Sequence, residues 1–189
     1  MEPDDSVYLK GQFLIAMPGL EDPNFHQTVT CIVEHNADGA VGIVINRIHQ
    51  LVSAEDIFKE LDIDYHPDAA GIPIYLGGPV HTGEIFILHG PPFEWQGTLS
   101  VTEQLAMSNT IDLLEAIAQV RGPKAFLIAM GCAGWAPGQL EAEIKQNAWL
   151  TGPSDETLLF SSSVEKRWMA SMERLGIRPE LLSGAAGNA

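Results

Sequence analysis

The sequence has few cysteines and no long apolar run, and both absences narrow the class of protein. Cys31 and Cys132 are the only two cysteines among 189 residues; they form no CxxC pair, and each lies in or beside an apolar run. Isolated thiols of this kind are typical of reduced cysteines that act as small buried hydrophobes. No apolar stretch approaches the roughly 18–20 residues that a membrane-spanning helix needs. The acidic start MEPDD is followed by no apolar segment typical of a secretory signal. We therefore expect a cytoplasmic protein without a membrane-spanning segment.

The sequence also lacks the local spacings that hold a metal ion. Its six histidines show no HxxxH or HExxH pattern, and there is no cluster of cysteines. Ligands that are distant in sequence can still meet in the folded chain, so only local metal motifs are excluded. We predict no metal and no cofactor.

Basic residues are scarce, and their scarcity argues against a polyanionic partner. The formal net charge is −15. Residues 1–110 hold 3 basic and 16 acidic side chains, and residues 111–189 hold 7 and 9. Such a chain repels nucleic acid at long range, because it lacks the cations that would release condensed counterions. Direct contact with nucleic acid is therefore disfavoured over most of the surface.

The main group of basic residues lies in the last long predicted helix. Arg167, Arg174 and Arg178 are spaced seven and four residues apart, so they fall near one helix face. Trp168 and Met172 should point to the core. Neighbouring acids dilute the positive charge, which favours a solvated face over a DNA-binding surface.

Hydrophobic periodicity and turn residues predict a mixture of strands and helices. Strands are predicted at residues 12–18, 28–35, 41–46, 72–76, 84–89, 98–101 and 125–130. Helices are predicted after an N-cap at Ser53 and over residues 109–120, 138–148 and 164–175. A turn at residues 36–39 should join the second and third strands as a hairpin. The irregular order indicates one α+β (mixed α/β) domain over residues 1–189, with a flexible tail from about residue 184.

The stretch MGCAGWAPGQ, which starts at Met130, places a cysteine between glycines at the end of an apolar run. A nucleophile elbow needs glycine two residues to either side of the nucleophile and an immediate helix. Gly134 lies two residues after Cys132, as the motif requires, but Met130 stands where the glycine before it is needed. Pro137 also delays the start of the helix. No histidine has a spacing that ties it to this thiol as a base. We interpret the stretch as a tight corner that seats Trp135 against the core.

The helix after this stretch carries a polar stripe. Gln139, Glu143 and Asn147 recur every four residues, at an angle to an apolar stripe at Leu140 and Ile144. Two amides around a carboxylate suit either a bound ligand or the backbone groups of a neighbouring loop, and polar groups near a core usually serve the second purpose.

Gly77 and Gly78 could belong either to a phosphate-binding loop or to a turn. A phosphate-binding loop works because a helix N-terminus follows it and directs N–H groups at the anion. Here a predicted strand follows instead, so a turn is the favoured interpretation.

Several of these stretches occur together and in order. They are GQFLIAMP with DPNF after it, GIVINR, GGPV, GCAGW, and GQLE followed by Glu143, Asn147 and the pair Trp149 and Leu150. With them the whole chain resembles the YqgE/AlgH family of bacterial proteins. It departs from the family pattern at Cys132, where tyrosine is usual, at Ile48, where proline is common, and at the terminal Gly-Asn-Ala, where Gly-His-Ala is frequent.

The resemblance implies a fold and leaves the reaction open. It implies a bifurcated mixed sheet that curls into a pseudo-barrel and is flanked by helices. The family has no agreed catalytic residues that could be carried over to this chain. Some members are described as transcriptional regulators of exopolysaccharide synthesis, a role that fits poorly with the acidity of this chain unless it acts through a partner.

Three functional hypotheses follow. The first is a non-enzymatic binding or regulatory protein that acts through an unknown protein or small-molecule partner. The second is a transcriptional regulator that binds DNA directly, and the third is a small hydrolase or thiol enzyme. For the first hypothesis the candidate cluster is Asn46, Arg47, Gly77, Gly78, Trp135, Gln139, Glu143 and Asn147.

Overall fold

A computed structural model describes residues 8–182, which form nine strands and five α-helices. The strands are β1 Gln12–Ala16, β2 Val29–Asn36, β3 Gly39–Val44, β4 Ile74–Leu76, β5 Val80–His89, β6 Leu99–Ser100, β7 Ala106–Ser108, β8 Phe126–Trp135 and β9 Trp149–Pro153. The helices are α1 Ala54–Glu60, α2 Ile111–Ala118, α3 Gln139–Lys145, α4 Arg167–Arg174 and α5 Pro179–Leu182. The predicted flexible tail lies outside the described residues.

All nine strands belong to one sheet that branches at β8. The hydrogen-bonded order is β6-β7-β5-β8-β3-β2-β1-β9, and β4 pairs with β8 outside that path. The β4–β8 pair is parallel, whereas every other pair is antiparallel. The sheet curls into a half-barrel flanked by helices. The predicted α+β fold with a bifurcated mixed sheet is confirmed, as is the hairpin, because Asn36 pairs with Gly39.

The predicted tight corner at residues 131–135 is wrong, because β8 continues through this segment. The strand pairs with β4 as far as Met130, with β5 as far as Cys132, and with β3 from Ala133 to Trp135. Gly131 has φ +75°, a conformation that favours glycine, and it shifts the side-chain alternation by one residue. Leu127 and Ala129 face the same core as Cys132. Odd-numbered residues therefore face this core before Gly131, and an even-numbered residue faces it afterwards. Trp135 is consequently buried on the opposite face of the strand, in a separate core.

Alternating side chains divide the apolar residues among three cores. One core lies between the sheet and α4, where Trp168 and Met172 are buried as predicted. The second joins α1 and α2 to the face of the sheet that carries Ile128. The third contains Trp135, Trp149 and Leu140 of α3. In β5 the alternation places Phe86 and Leu88 in the first core and Ile87 in the second.

Several helix ends differ from the prediction. The N-cap at Ser53 is confirmed: its side chain accepts from the Asp56 amide, and the Asp56 carboxylate accepts from the Ser53 backbone. The last long helix instead begins as a 3₁₀ turn, Val164–Lys166, and becomes α-helical only at Arg167. Strands β7 and β9 were not predicted, since each is short and the apolar pattern around it does not alternate cleanly.

Candidate functional site

The polar stripe of α3 is occupied by the protein's own donors. Glu143 Oε2 accepts hydrogen bonds from Trp135 Nε1 at 2.9 Å and Trp149 Nε1 at 2.8 Å. Glu143 Oε1 accepts from Gln139 Nε2 at 2.9 Å, and Gln139 Oε1 accepts from the Ala136 amide at 3.0 Å. The carboxylate therefore satisfies two indole N–H groups that are themselves almost completely buried. This network locks α3 against β8 and β9.

Phe25 closes the aromatic side of this network. Its ring stacks on Trp135 with centroids 5.9 Å apart and meets Trp149 edge-on at 5.4 Å. The two indoles meet each other edge-on at 6.1 Å. Offset and edge-to-face pairs of this kind add stability beyond simple burial. Phe25 belongs to the loop between β1 and β2, so the position of that loop depends on the same cluster.

Asn46 and Arg47 hold that loop from the other side. Arg47 donates to the backbone oxygens of Pro23, Asn24 and His26 at 2.8, 2.9 and 2.9 Å. Asn46 Oδ1 accepts from the Val29 amide at 2.8 Å, and its Nδ2 donates to the Gln27 oxygen at 2.8 Å.

The Arg47 guanidinium is therefore committed to structure. Burial lowers its pKa, and the charge of Asp22 opposes that shift. Since three carbonyl oxygens share its donors, Arg47 acts as a clamp on the loop.

Gly77 and Gly78 link β4 to β5 and lie against the backbone of β8. The Gly77 amide donates to the Met130 oxygen at 2.8 Å, and a Cβ on Gly77 would overlap the Gly131 oxygen. A Cβ on Gly78, which has φ +151°, would overlap the backbone of Cys132. The pair makes a close backbone contact with β8 that only glycine allows, whereas the predicted turn is not seen at these two residues.

The eight candidate residues thus form several groups. Trp135, Gln139 and Glu143 lie together, and Arg47 reaches them only through the loop that carries Phe25. Asn147 is exposed with φ +57°, because α3 ends at Lys145 and the four-residue stripe ends with it.

Neither thiol is placed for catalysis. Burial raises the pKa of Cys31 to about 12. Burial, and secondarily the charge of Glu84, raises the pKa of Cys132. A thiolate is the nucleophilic form, so both shifts suppress reactivity at neutral pH.

A histidine and a serine that no sequence motif connected, His89 and Ser108, lie in contact but are inaccessible to a substrate. His89 Nε2 lies 3.0 Å from Ser108 Oγ, and His89 Nδ1 bonds the Gly90 oxygen at 2.8 Å. Both side chains are 0% exposed, and burial lowers the pKa of His89. Ser108 Oγ also lies 3.0 Å from Thr98 Oγ1. The Ser108 hydroxyl thus links β7 to His89 of β5 and to Thr98, the residue before β6.

The prediction that the C-terminal arginines share a solvated face is wrong for Arg167. That side chain is 3% exposed; it donates to the Ile45 and Ser162 oxygens and lies 5.4 Å from the Tyr75 ring. The positive charge instead anchors α4 to the sheet. Arg174 is paired with Asp155.

An open apolar groove runs between α1 and α2 over the sheet. One cavity of about 290 Å³ and another of about 170 Å³ share Leu61 and Ile85 in their walls. We call this feature the α1–α2 groove. Its apolar lining includes Leu61, Ile85, Ile111, Leu114 and Met130.

Two of these side chains are unusually accessible, and acids surround them. Leu61 is 44% exposed and Ile111 is 51% exposed. Asp56, Glu60 and Glu84 complete the lining. Sequence patterns could not reveal the groove, because its walls come from elements that meet only in the folded chain.

Metal and membrane features are not found among residues 8–182. No group of three or more His, Cys, Asp or Glu side chains there could hold a metal ion. No helix within the same range is long and apolar enough to cross a membrane.

Comparisons with known proteins agree with the fold. A family model described as AlgH-like matches residues 13–180. UPF0301 proteins of Desulforapulum autotrophicum and Pseudomonas aeruginosa, the latter named AlgH, are each 49% identical to this chain, with full coverage of both chains. The solution structure of AlgH from P. aeruginosa has a TM-score of 0.79 at 47% identity, again with full coverage. A crystal structure from Corynebacterium diphtheriae shares the fold at a TM-score of 0.73 and 21% identity, covering 97% of this chain and 94% of that one. The chain belongs to the AlgH-like family.

Proposed function

We propose that this chain is a non-enzymatic cytoplasmic binding protein that acts by docking a positively charged segment of a partner protein in the α1–α2 groove. The observation that carries the proposal is the groove itself, where Leu61 and Ile111 expose about half of their surface beside an acidic rim. Accessible apolar surface rimmed by polar groups is typical of a protein interaction site.

The polar groups of the family motifs support a binding role over catalysis. The carboxylate of Glu143 and the guanidinium of Arg47 have internal partners, and both thiols are buried. Free buried thiols also suit a reducing cytoplasm. Direct DNA binding, the second hypothesis, draws less support, because Arg167 is buried and Arg174 is paired with Asp155.

Charge indicates the kind of protein segment that would dock. Between residues 60 and 120 the sequence has nine Asp and Glu residues and no Lys or Arg. Lys59, the basic residue of α1, is paired with Glu55 at 2.6 Å. A cationic segment would gain both affinity and a faster encounter from this field.

Site-specific photo-crosslinking in bacterial cells tests the proposal. A photoreactive phenylalanine analogue at position 111 should give a discrete adduct with a basic protein. The same analogue at position 181, where Leu181 is 72% exposed, is the matched control.

The adduct should disappear when the protein with the analogue at position 111 also carries Leu61→Gln. Without that second substitution, the adduct should also form when the purified protein is mixed with the purified partner. Absence of an adduct from position 111, or an equal adduct from position 181, would overturn the proposal. The proposal would also be overturned if a small molecule, and no protein segment, were found to occupy the groove.

A further inference from the structure

We infer that the segment docking in the α1–α2 groove is an amphipathic α-helix with Lys and Arg beside its apolar face. This inference rests on the proposed function, and it specifies the partner by its conformation and chemistry. It is carried by the floor of the groove, its walls and its charge.

The floor offers the side chains of two paired strands. Ile85 of β5 and Met130 of β8 both line the groove, and they are register partners in adjacent antiparallel strands. Their backbones face each other within the sheet, so a docked segment meets the sheet from its face. An extended peptide usually binds by adding to a sheet edge, where its N–H and C=O groups find partners. On an apolar face those groups would stay unsatisfied, at a cost of about 1–3 kcal/mol for each buried group.

A helix avoids that cost because its backbone hydrogen bonds are internal. Its apolar residues at i, i+4 and i+7 would enter the two cavities, which adjoin each other at Leu61 and Ile85. The walls are themselves formed by α1 and α2, which pack on the same face of the sheet. A third helix in this layer would cover Ile85, Met130 and the exposed part of Ile111.

The charge of the groove sets the charge of the helix. Asp56 and Glu60 lie on the α1 side, and Glu84 lies where β5 bulges away from β8. The Asp56 carboxylate already accepts from the Ser53 backbone in the capping box, and Glu84 contacts His81 at 3.0 Å. Glu60 is therefore the acid with most freedom to pair with a partner. Lys or Arg residues that flank the apolar stripe would meet these carboxylates at the rim, where they favour encounter and register.

Three labelled 18-residue peptides test the inference against the full-length protein by fluorescence anisotropy. The first places Leu at i, i+4 and i+7 repeats and Lys or Arg elsewhere. The second has the same composition in an order without helical periodicity. The third keeps the Leu pattern and replaces the basic residues by Glu. The first peptide should bind at least tenfold more tightly than either of the others, and its affinity should fall as salt rises.

Protein variants connect that binding to the groove. Ile111→Asp and Leu61→Gln should each weaken the first peptide about tenfold or more, whereas Leu181→Asp should leave it unchanged. Ile111 is the first residue of α2, where an acid is favourable for the helix, so the Asp variant is expected to fold. Circular dichroism and the melting temperature check this for each variant.

The outcomes separate the two proposals. If the scrambled peptide binds as tightly as the first and the groove variants weaken both, the helix inference fails and the docking site stands. If the acidic peptide binds equally, the assigned charge is wrong. If the first peptide binds and the groove variants do not affect it, the site itself is wrong and the proposed function fails. If no peptide binds, the helix inference is overturned.

Discussion

The indole N–H groups of Trp135 and Trp149 converge on the same carboxylate oxygen of Glu143, at 2.9 and 2.8 Å. One indole is at the end of β8 and the other at the start of β9, so Glu143 of α3 fixes both strands from the helix between them. The polar stripe that the sequence displays is therefore a structural bracket. We expect loss of this bracket to lower the free energy of unfolding.

Glu143→Ala should lower the free energy of unfolding by about 2–3 kcal/mol, because two buried indole N–H groups lose their acceptor. Glu143→Gln keeps an acceptor oxygen for the indoles but loses the bond from Gln139 Nε2, because its own NH2 group is a donor; it should cost about 1–2 kcal/mol. Urea unfolding followed by tryptophan fluorescence measures both values. Glu173→Ala, at an exposed position of α4, is the control and should change stability by less than about 0.5 kcal/mol. Equal effects for Glu143→Ala and Glu173→Ala would contradict the bracket.

Arg47→Lys should loosen the loop that carries Phe25. A lysine cannot reach three carbonyl oxygens with the fixed geometry of a guanidinium, so the bonds to Pro23, Asn24 and His26 cannot all be kept. Amide hydrogen exchange at Phe25 and His26 should become about tenfold faster, equivalent to about 1.4 kcal/mol. Arg121→Lys, at an exposed position, is the control for a change that keeps the charge. Unchanged protection of the loop would show that Arg47 is no clamp.

Gly77→Ala should destabilise the fold by about 3 kcal/mol. The new methyl group would overlap the Gly131 oxygen, and both positions lie in backbone that the sheet holds in place. Gly83→Ala, at a position in β5 where a Cβ meets no atom within 4 Å, is the matched control. Thermal unfolding by calorimetry compares the two variants. A similar melting temperature for both would refute the close contact between Gly77 and β8.

Cys31 should make stability fall in alkaline solution. Its pKa is about 12 in the folded protein, against a value of 9.0 for a free thiol, so the folded state holds its proton more strongly than the unfolded state. The stabilisation is complete below pH 9.0 and is lost progressively as the pH rises from there towards 12. Unfolding free energies measured between pH 8 and pH 10.5 should decline less in Cys31→Ala than in the wild type. An identical pH profile for both would contradict the shift.

Local patterns in the sequence were enough for many of the elements. Alternation predicted the buried strands, the motif around Ser53 predicted the start of α1, and the charge balance argued against a nucleic-acid surface. These features depend on residues close together in the chain, whose preferences act before any distant contact forms. The resemblance to the YqgE/AlgH family predicted the branched sheet, which spacing alone did not.

The roles of individual polar residues were not accessible in this way. Arg167 looks like a solvated helix residue by spacing, yet the fold places the Ile45 oxygen and the Tyr75 ring against it. Residues 131–135 look like a corner, yet Gly131 lets β8 continue with its side-chain alternation shifted by one residue. His89 and Ser108 are 19 residues apart and meet only because β5 pairs with β7.

The sequence by itself determined the periodic elements, the acidity and the family of this protein, because each of these is encoded in local order or in composition. Only the tertiary structure decided which polar groups are consumed internally and where apolar surface stays open. Glu143 is occupied because two strands deliver their indoles to it. The α1–α2 groove exists because Leu61 and Ile111 come together with no helix of residues 8–182 between them. Such arrangements depend on contacts between distant segments, and no local pattern specifies them.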